Sequence, residues 1–316
     1  MNDPVADFLA SHPLLVLDGA LATELERRGA DLKDPLWSAK CLLQHPDWIR
    51  DVHLDYFLAG ADLATTATYQ ATFEGFARRG IDAAGARQAM CAAITLARSA
   101  REEFWACAAN RHGRSRPRVA ASVGPYGAML ADGSEYRGHY ALDDAALADF
   151  HRPRLAVLGH AGADLLAFET LPCLREARVL ARLLEELPGV CAWLSFSCQV
   201  GGHTSEGDAI EECVAELQNY PQIVAVGVNC TPPQHIASLL RRMRNATDKP
   251  LVAYPNSGES YEASSGRWSG ARSAPAFGAQ ARFWYAEGAR LIGGCCRTGP
   301  ADIRDLKQCV HTKPAA

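Results

Sequence analysis

The chain has 316 residues, 48 % apolar and 22 % charged, an ordinary globular composition with length enough to bury a sizeable core. Its formal net charge is −4 and it carries no basic block, so nucleic acid is not an expected partner. The longest apolar runs, such as Leu14-Leu15-Val16-Leu17, fall far short of the ~18 residues that span a bilayer, and Asp3 and Asp7 precede any apolar stretch, unlike a signal peptide. The expectation is a cytoplasmic protein with no membrane partner.

Along the chain, eight short apolar runs alternate with helical stretches. The runs are 14–19, 61–69, 118–125, 163–170, 190–198, 223–230, 250–257 and 289–296. Near-continuous apolar runs suit parallel strands covered on both faces. After the first run, Ile49, Val52, Tyr56 and Ala59 are spaced 3, 4 and 3, which makes one apolar helical stripe. Further helices are predicted over 82–109, 142–160 and 173–187. Ile210, Val214 and Leu217 repeat the stripe behind Glu206, Asp208, Glu211 and Glu212, whose charges suit a helix N-terminus. Helices over 233–245, 275–287 and 300–309 complete the pattern. Gly60-Ala61-Asp62, Gly162-Ala163-Asp164 and Gly288-Ala289-Arg290 read as helix exits, with glycine as the left-handed stop. Eight such units predict a single-domain (β/α)8 TIM barrel over residues 1–316. The alternative is an open doubly wound sheet, but neither G-x-G-x-x-G nor a P-loop follows the first run.

In a barrel, chemistry sits where strands end. The ends of the runs carry Asp18, Thr68-Tyr69-Gln70, Glu169-Thr170, Asn229-Cys230, Asn256-Ser257 and Cys295-Cys296. The eleven cysteines are an odd count without a secretory signal, which argues against a disulfide framework. Cys91, Cys107, Cys191 and Cys213 fit small buried apolar residues. Cys230 ends the sixth run, and Cys295 and Cys296 end the eighth. Only a barrel would bring these three together, and three thiolates suit Zn²⁺ with one position open. The competing reading is a close-packed Cys pair beside Gly293-Gly294. Three thiolates leave zinc with a net charge of −1, a poor generator of hydroxide but a good match to a soft sulfur substrate, so the expected task is thiol activation.

The phrases LVLDGALATELERRG, GADLATTATYQATFEGF, LLAFETLP, GVNCTPP, YPNSGE and LIGGCCRTGPADI resemble the homocysteine S-methyltransferases, over roughly residues 12–309. The resemblance implies a single barrel that moves a methyl group from a sulfonium or ammonium donor to homocysteine, giving methionine. It implies Cys230, Cys295 and Cys296 as zinc ligands. It implies that Asp18 and Glu169 hold the homocysteine amino group, with Asn229 beside them. The TTATYQAT and YPNSGE wording is similar to the branch that uses S-methylmethionine, with S-adenosylmethionine a second donor. Betaine users carry a Tyr where this chain aligns Gln70, Tyr69 falling one place earlier. A betaine-dependent enzyme, a cobalamin-partnered homocysteine module and a non-catalytic zinc barrel stay as alternatives.

Trp37 lies in the first loop, Asp34-Pro35-Leu36-Trp37-Ser38, where the family has a donor-contacting Trp. A Trp face attracts an onium cation by ~0.5–2 kcal/mol. Trp37, Gln70 and Tyr69 are the expected donor contacts, with Tyr126 a lesser one. The Gly-rich loops Gly201-Gly202-His203-Thr204 and 127–139 are candidate lids, with His203 and His139 exposed. Arg297 after the Cys pair is expected either to touch a carboxylate or to pack. The expected partners are two small molecules, homocysteine and a sulfonium donor, with the chain a monomer or small homo-oligomer.

Overall fold

A computed structural model describes residues 3–32, 34, 36–199, 202–262, 267–272 and 276–311. All eight expected strands form: β1 (Leu15–Val16), β2 (Leu63–Thr65), β3 (Arg118–Val123), β4 (Leu165–Leu171), β5 (Ala192–Phe196), β6 (Ile223–Asn229) and β7 (Leu251–Tyr254). A short hairpin, β8 (Ser260–Glu262) with β9 (Arg267–Ser269), precedes the last, β10 (Ala289–Ile292). The eight barrel strands pair in parallel in the order β1-β10-β7-β6-β5-β4-β3-β2. A parallel bridge from Leu17 to Leu63 and the bond from Asp62 N to Val16 O (2.7 Å) bring β1 back to β2. The result is the (β/α)8 barrel, with helices between consecutive strands.

Side-chain alternation divides the core in two. Leu15, Leu17, Leu63, Ala120, Leu165, Ala167, Trp193, Ala225, Val252 and Leu291 fill the barrel interior. Val16, Ala64, Leu166, Phe168, Leu194, Val226 and Val228 point outward and meet the helices. Period two therefore aims Thr65, Ser122, Glu169, Ser195, Asn229 and Tyr254 inward at the C-terminal mouth. Gly227 is required by this packing: a Cβ there would lie 1.9 Å from the Val252 carbonyl oxygen.

The apolar stripe of Ile49, Val52, Tyr56 and Ala59 becomes the helix Pro46–Ala59, which ends at Gly60 in the left-handed region (φ 117). The predicted 82–109 helix runs Ala83–Ala106, stopping short because residues 108–111 form a tighter turn. Of the four acidic residues around Ile210, only Glu211 and Glu212 lie in the first turn of that helix. Asp208 serves a different helix instead, accepting from Leu174 N at 2.7 Å. The helix Phe277–Ala286 matches the predicted 275–287, although residue 275 lies outside the described residues. Several helices among the described residues were not anticipated: Leu21–Arg27, Cys41–Gln44, Phe73–Ala77, Tyr126–Leu130 and, ahead of the first strand, Pro4–Leu9. The signals of this last helix are local: Asp3 accepts from Val5 N and Ala6 N, and Pro4 stands at the first position. Its Val5 and Phe8 plug the bottom of the barrel interior.

The two Gly-Ala-Asp exits share a second job. The Asp62 carboxylate accepts from Val16 N (3.2 Å) and from Lys307 (3.0 Å). Asp164 accepts from Val119 N (2.7 Å) and Arg101 (2.9 Å). Each ties its strand to the neighbour at the end opposite the mouth. Among the described residues no helix is long and apolar enough to cross a membrane.

Candidate active site

The mouth of the barrel opens into a cavity of about 100 Å³. Its walls come from the ends of most strands and from the first loop. Cys230 follows β6 directly, and Cys295 and Cys296 follow β10 after Gly293-Gly294. The Sγ atoms of these three lie within 4.8 Å of one another. Cys230 Sγ is 3.5 Å from Cys296 Sγ, and Cys295 Sγ is 4.0 Å from Cys296 Sγ. Two thiolates on a tetrahedral ion with bonds of about 2.3 Å stand about 3.8 Å apart, so the spacing fits a single tetrahedral metal. The eight further cysteines lie outside this group. Of the four read as buried apolar residues, Cys191 and Cys213 are buried and Cys91 is half-buried. Cys107 is exposed, because it sits at the end of its helix rather than on the packed stripe.

The trio depends on close backbone packing. A Cβ on Gly293 would lie 2.5 Å from Leu17 Cβ, and one on Gly294 would lie 2.2 Å from Thr298 Oγ1, so only glycine lets β10 lead the Cys pair in beside β1. Cys230 N donates to Tyr254 O at 3.1 Å and Cys295 N to Pro255 O at 2.7 Å, which pins both segments to β7. The thiols share protons unevenly. Hydrogen bonds from Cys295 and Cys296 push Cys230 well below the usual thiol range, while the same bonds push Cys295 and Cys296 up.

Two carboxylates face the same cavity. Asp18 is buried and accepts from Thr65 N (2.8 Å) and Thr65 Oγ1 (2.6 Å). Glu169 accepts from Ser122 Oγ and from Tyr254 OH (3.1 Å). Burial pushes both carboxyl groups up to about 7, and for Asp18 the nearby Glu169 adds to the rise. Tyr254 is fixed in turn by Trp193 Nε1 (3.0 Å) and Ser195 Oγ (2.6 Å). Two acidic groups held by neutral hydroxyls, with no cation against either among the described residues, make a site poised for a cationic group.

Backbone strain gathers here as well. Trp37, Thr170, Cys230 and Arg297 all have positive φ, at 46°, 63°, 46° and 68°. For a β-branched Thr this is a true outlier, so something must hold it. Asn229 does: its Oδ1 accepts from Thr170 N (2.8 Å) and its Nδ2 donates to Thr170 Oγ1 (2.7 Å). Asn229 lines the cavity, but its amide is also engaged by Ser195 Oγ (2.8 Å). It therefore also holds Thr170 in place at the cavity wall.

Trp37 and Tyr69 both line the cavity and meet edge to face, with ring centroids 6.1 Å apart. Gln70 does not reach it. It is buried behind the wall, with Nε2 donating to Ala128 O at 2.8 Å, while Tyr69 of the same turn lines the cavity. Tyr126 also lies elsewhere, packed against Tyr140 and Phe150. Arg297 does touch a carboxylate, with Nε 3.5 Å from Glu259 Oε1. Of the two glycine-rich loops, 127–139 folds into the helix Tyr126–Leu130 and a turn at Ser134–Tyr136, and it delivers Tyr136 to the cavity. In the other, Gly202 has φ 115, while Gly201 lies outside the described residues, as does Pro35 of the first loop. Sequence reading missed Thr65, Ser122, Tyr254 and Tyr136. The first three stand on inward strand positions, a signal that alternation carries.

The homocysteine S-methyltransferase profile matches residues 15–310. The chain is 53 % identical over 304 residues to the homocysteine S-methyltransferase YbgG of Bacillus subtilis, covering 96 % of each chain. It is 49 % identical to a homocysteine S-methyltransferase of Escherichia coli, covering 97 % of this chain and 98 % of that one. The chain belongs to the homocysteine S-methyltransferase family. In structure it is similar to the homocysteine methyltransferase MmuM of E. coli in its metallated form, with TM-score 0.87 and 47 % identity, covering 97 % of this chain and 99 % of that one. The homocysteine S-methyltransferase fold thus carries the three-sulfur group, which can bind a metal ion, at its catalytic end.

Proposed function

We infer that this chain, acting as a single barrel domain, transfers a methyl group from a sulfonium donor, S-methylmethionine or S-adenosylmethionine, to the thiol of homocysteine, with zinc as the metal. The observation that carries this reading is the three sulfurs of Cys230, Cys295 and Cys296 within 4.8 Å, in one cavity with Asp18 and Glu169. Held by these three thiolates, zinc supplies Lewis acidity that favours the thiolate form of a substrate thiol near neutral pH.

The remaining work falls to the protein's own groups. Asp18 and Glu169 take the ammonium of homocysteine; its positive charge offsets the cost of ionising two buried carboxyls. Ser122, Thr65 and Tyr254 hold those carboxylates in place. The helix Leu21–Arg27, which has no side-chain cap at Ala20, begins at the cavity wall formed by Gly19 to Ala22. Gripped at its amino-acid end, homocysteine presents its sulfur towards the cysteines. Trp37 and Tyr69 offer ring faces to the donor cation. The acceptor sulfur, its proton already lost, forms the new S–CH₃ bond as the donor's S–CH₃ bond breaks, and the donor leaves as a neutral thioether. Charge is quenched along this path, so a cavity that excludes water favours it. Alignment of the two reactants supplies the rest.

The test offers S-methylmethionine, S-adenosylmethionine, betaine and methylcobalamin side by side with homocysteine, with metal content measured on the same sample. The reading expects a sulfonium to be fastest and about one zinc per chain. Betaine or methylcobalamin as the fastest donor would overturn the donor assignment, and no methionine from any of them would overturn the activity.

A further inference from the structure

The turn Ser134–Tyr136 is built with unusual care for a surface loop. Gly127 allows it to close: a Cβ there would lie 2.5 Å from Glu135 N and 2.6 Å from Ser134 C. Gly133 enters it at φ 81, and Gly138 leaves it at φ 69, both conformations that favour glycine. Two side chains from the end of β5 then hook its backbone. Ser197 Oγ donates to Glu135 O at 3.1 Å and is itself braced by Ser205 Oγ at 2.8 Å. Gln199 Nε2 donates to Tyr136 O. The outcome of this bracing is one contact: Tyr136 OH stands 3.2 Å from Cys230 Sγ, against the sulfur trio.

We propose that Tyr136 is a positioning residue for the metal centre, its phenol donating a hydrogen bond to the Cys230 thiolate and so setting both the direction and the electron density of that sulfur. The inference rests on the metal-binding reading of the three cysteines. Its chemistry is simple. A cysteine bound to a metal is a thiolate, which can only accept, and a phenol can donate. Sulfur that accepts a hydrogen bond gives less charge to the metal, which leaves the ion a stronger Lewis acid towards the incoming thiol. Cys230 needs such support because its own backbone is held at φ 46. The other two sulfurs are adjacent in sequence, whereas Cys230 comes alone from the end of β6, and the loop after β3 reaches across to it.

The experiment loads wild-type protein and Tyr136→Phe with cobalt(II) and compares their spectra, with chelator competition for zinc alongside. Intense thiolate-to-cobalt charge-transfer bands in the wild type establish the sulfur site independently of Tyr136, and their absence there would overturn the metal reading itself. In Tyr136→Phe the expected result is the same tetrahedral bands with the charge-transfer band moved to lower energy, because the unsupported sulfur gives up electron density more easily. Zinc should be held about 10- to 100-fold less tightly, the range for losing a group that orients a metal ligand. Ser197→Ala, which touches no sulfur, should move the band in the same direction by less, and it serves if the Phe variant does not fold. An unchanged band and unchanged zinc retention in folded Tyr136→Phe would overturn the proposal.

Discussion

Glu169→Gln separates the two costs that meet at the site. In the folded protein burial raises the Glu169 carboxyl from 4.5 to about 7, so the native state holds its proton more tightly than the unfolded chain does. The stability this group contributes is full below its unfolded value and is lost as pH rises from there through about 7. The shift corresponds to about 3 kcal/mol across that window. A Gln of the same shape never ionises, keeps its one oxygen for either Ser122 or Tyr254, and can donate its N–H to the hydroxyl oxygen of the other. With metal content matched, the variant should equal wild type in urea unfolding at about pH 4.5, then gain steadily to about 3 kcal/mol above pH 7. Homocysteine binding should move the opposite way. Losing one charge-assisted bond to its ammonium, about 1.5–3 kcal/mol, weakens it by about 10- to 150-fold. Titration calorimetry reads the second effect and paired urea melts the first. A variant that is no more stable than wild type above pH 7, or that binds homocysteine as well, would refute the reasoning.

Two further outcomes follow from the geometry. Gly227→Ala puts a Cβ 1.9 Å from the Val252 carbonyl oxygen, a backbone atom that cannot swing away. Forcing β6 from β7 should cost about 3 kcal/mol or more in denaturant unfolding, and an unchanged midpoint would contradict the packing described. Trp37→Leu removes a ring face from the cavity and should raise KM for the donor about 2- to 30-fold while leaving KM for homocysteine alone; steady-state kinetics with each substrate varied in turn would show otherwise if both moved together.

The eight strands were legible because both faces of each are buried, which leaves continuous apolar runs between glycine-marked helix exits. Cys230, Cys295, Cys296, Asp18 and Glu169 were legible because they stand at the ends of those runs, and the barrel turns that position into proximity. Gln70 was misplaced because β2 is three residues long and leaves little to fix which of Tyr69 and Gln70 faces inward. Asn229 was correctly placed on the wall, but its partner Thr170 lies on another strand, so the clamp between them could not be read from either segment. Ser122 and Tyr254 share the inward parity of Ala120 and Val252 and could have been found by carrying the alternation to the strand ends. Tyr136 could not. Its loop was marked only by glycines, and its contact with Cys230 depends on hooks from Ser197 and Gln199 that no local pattern encodes.

The central claim is that three distant sulfurs grip one ion on which methyl transfer depends. Metal content and methionine formation, measured together on a folded preparation of Cys230→Ala, test it most directly. The account predicts that both are lost, since a pair of adjacent thiols retains too few ligands for a tight site. A metal-free Cys230→Ala protein that still forms methionine at the wild-type rate would contradict it.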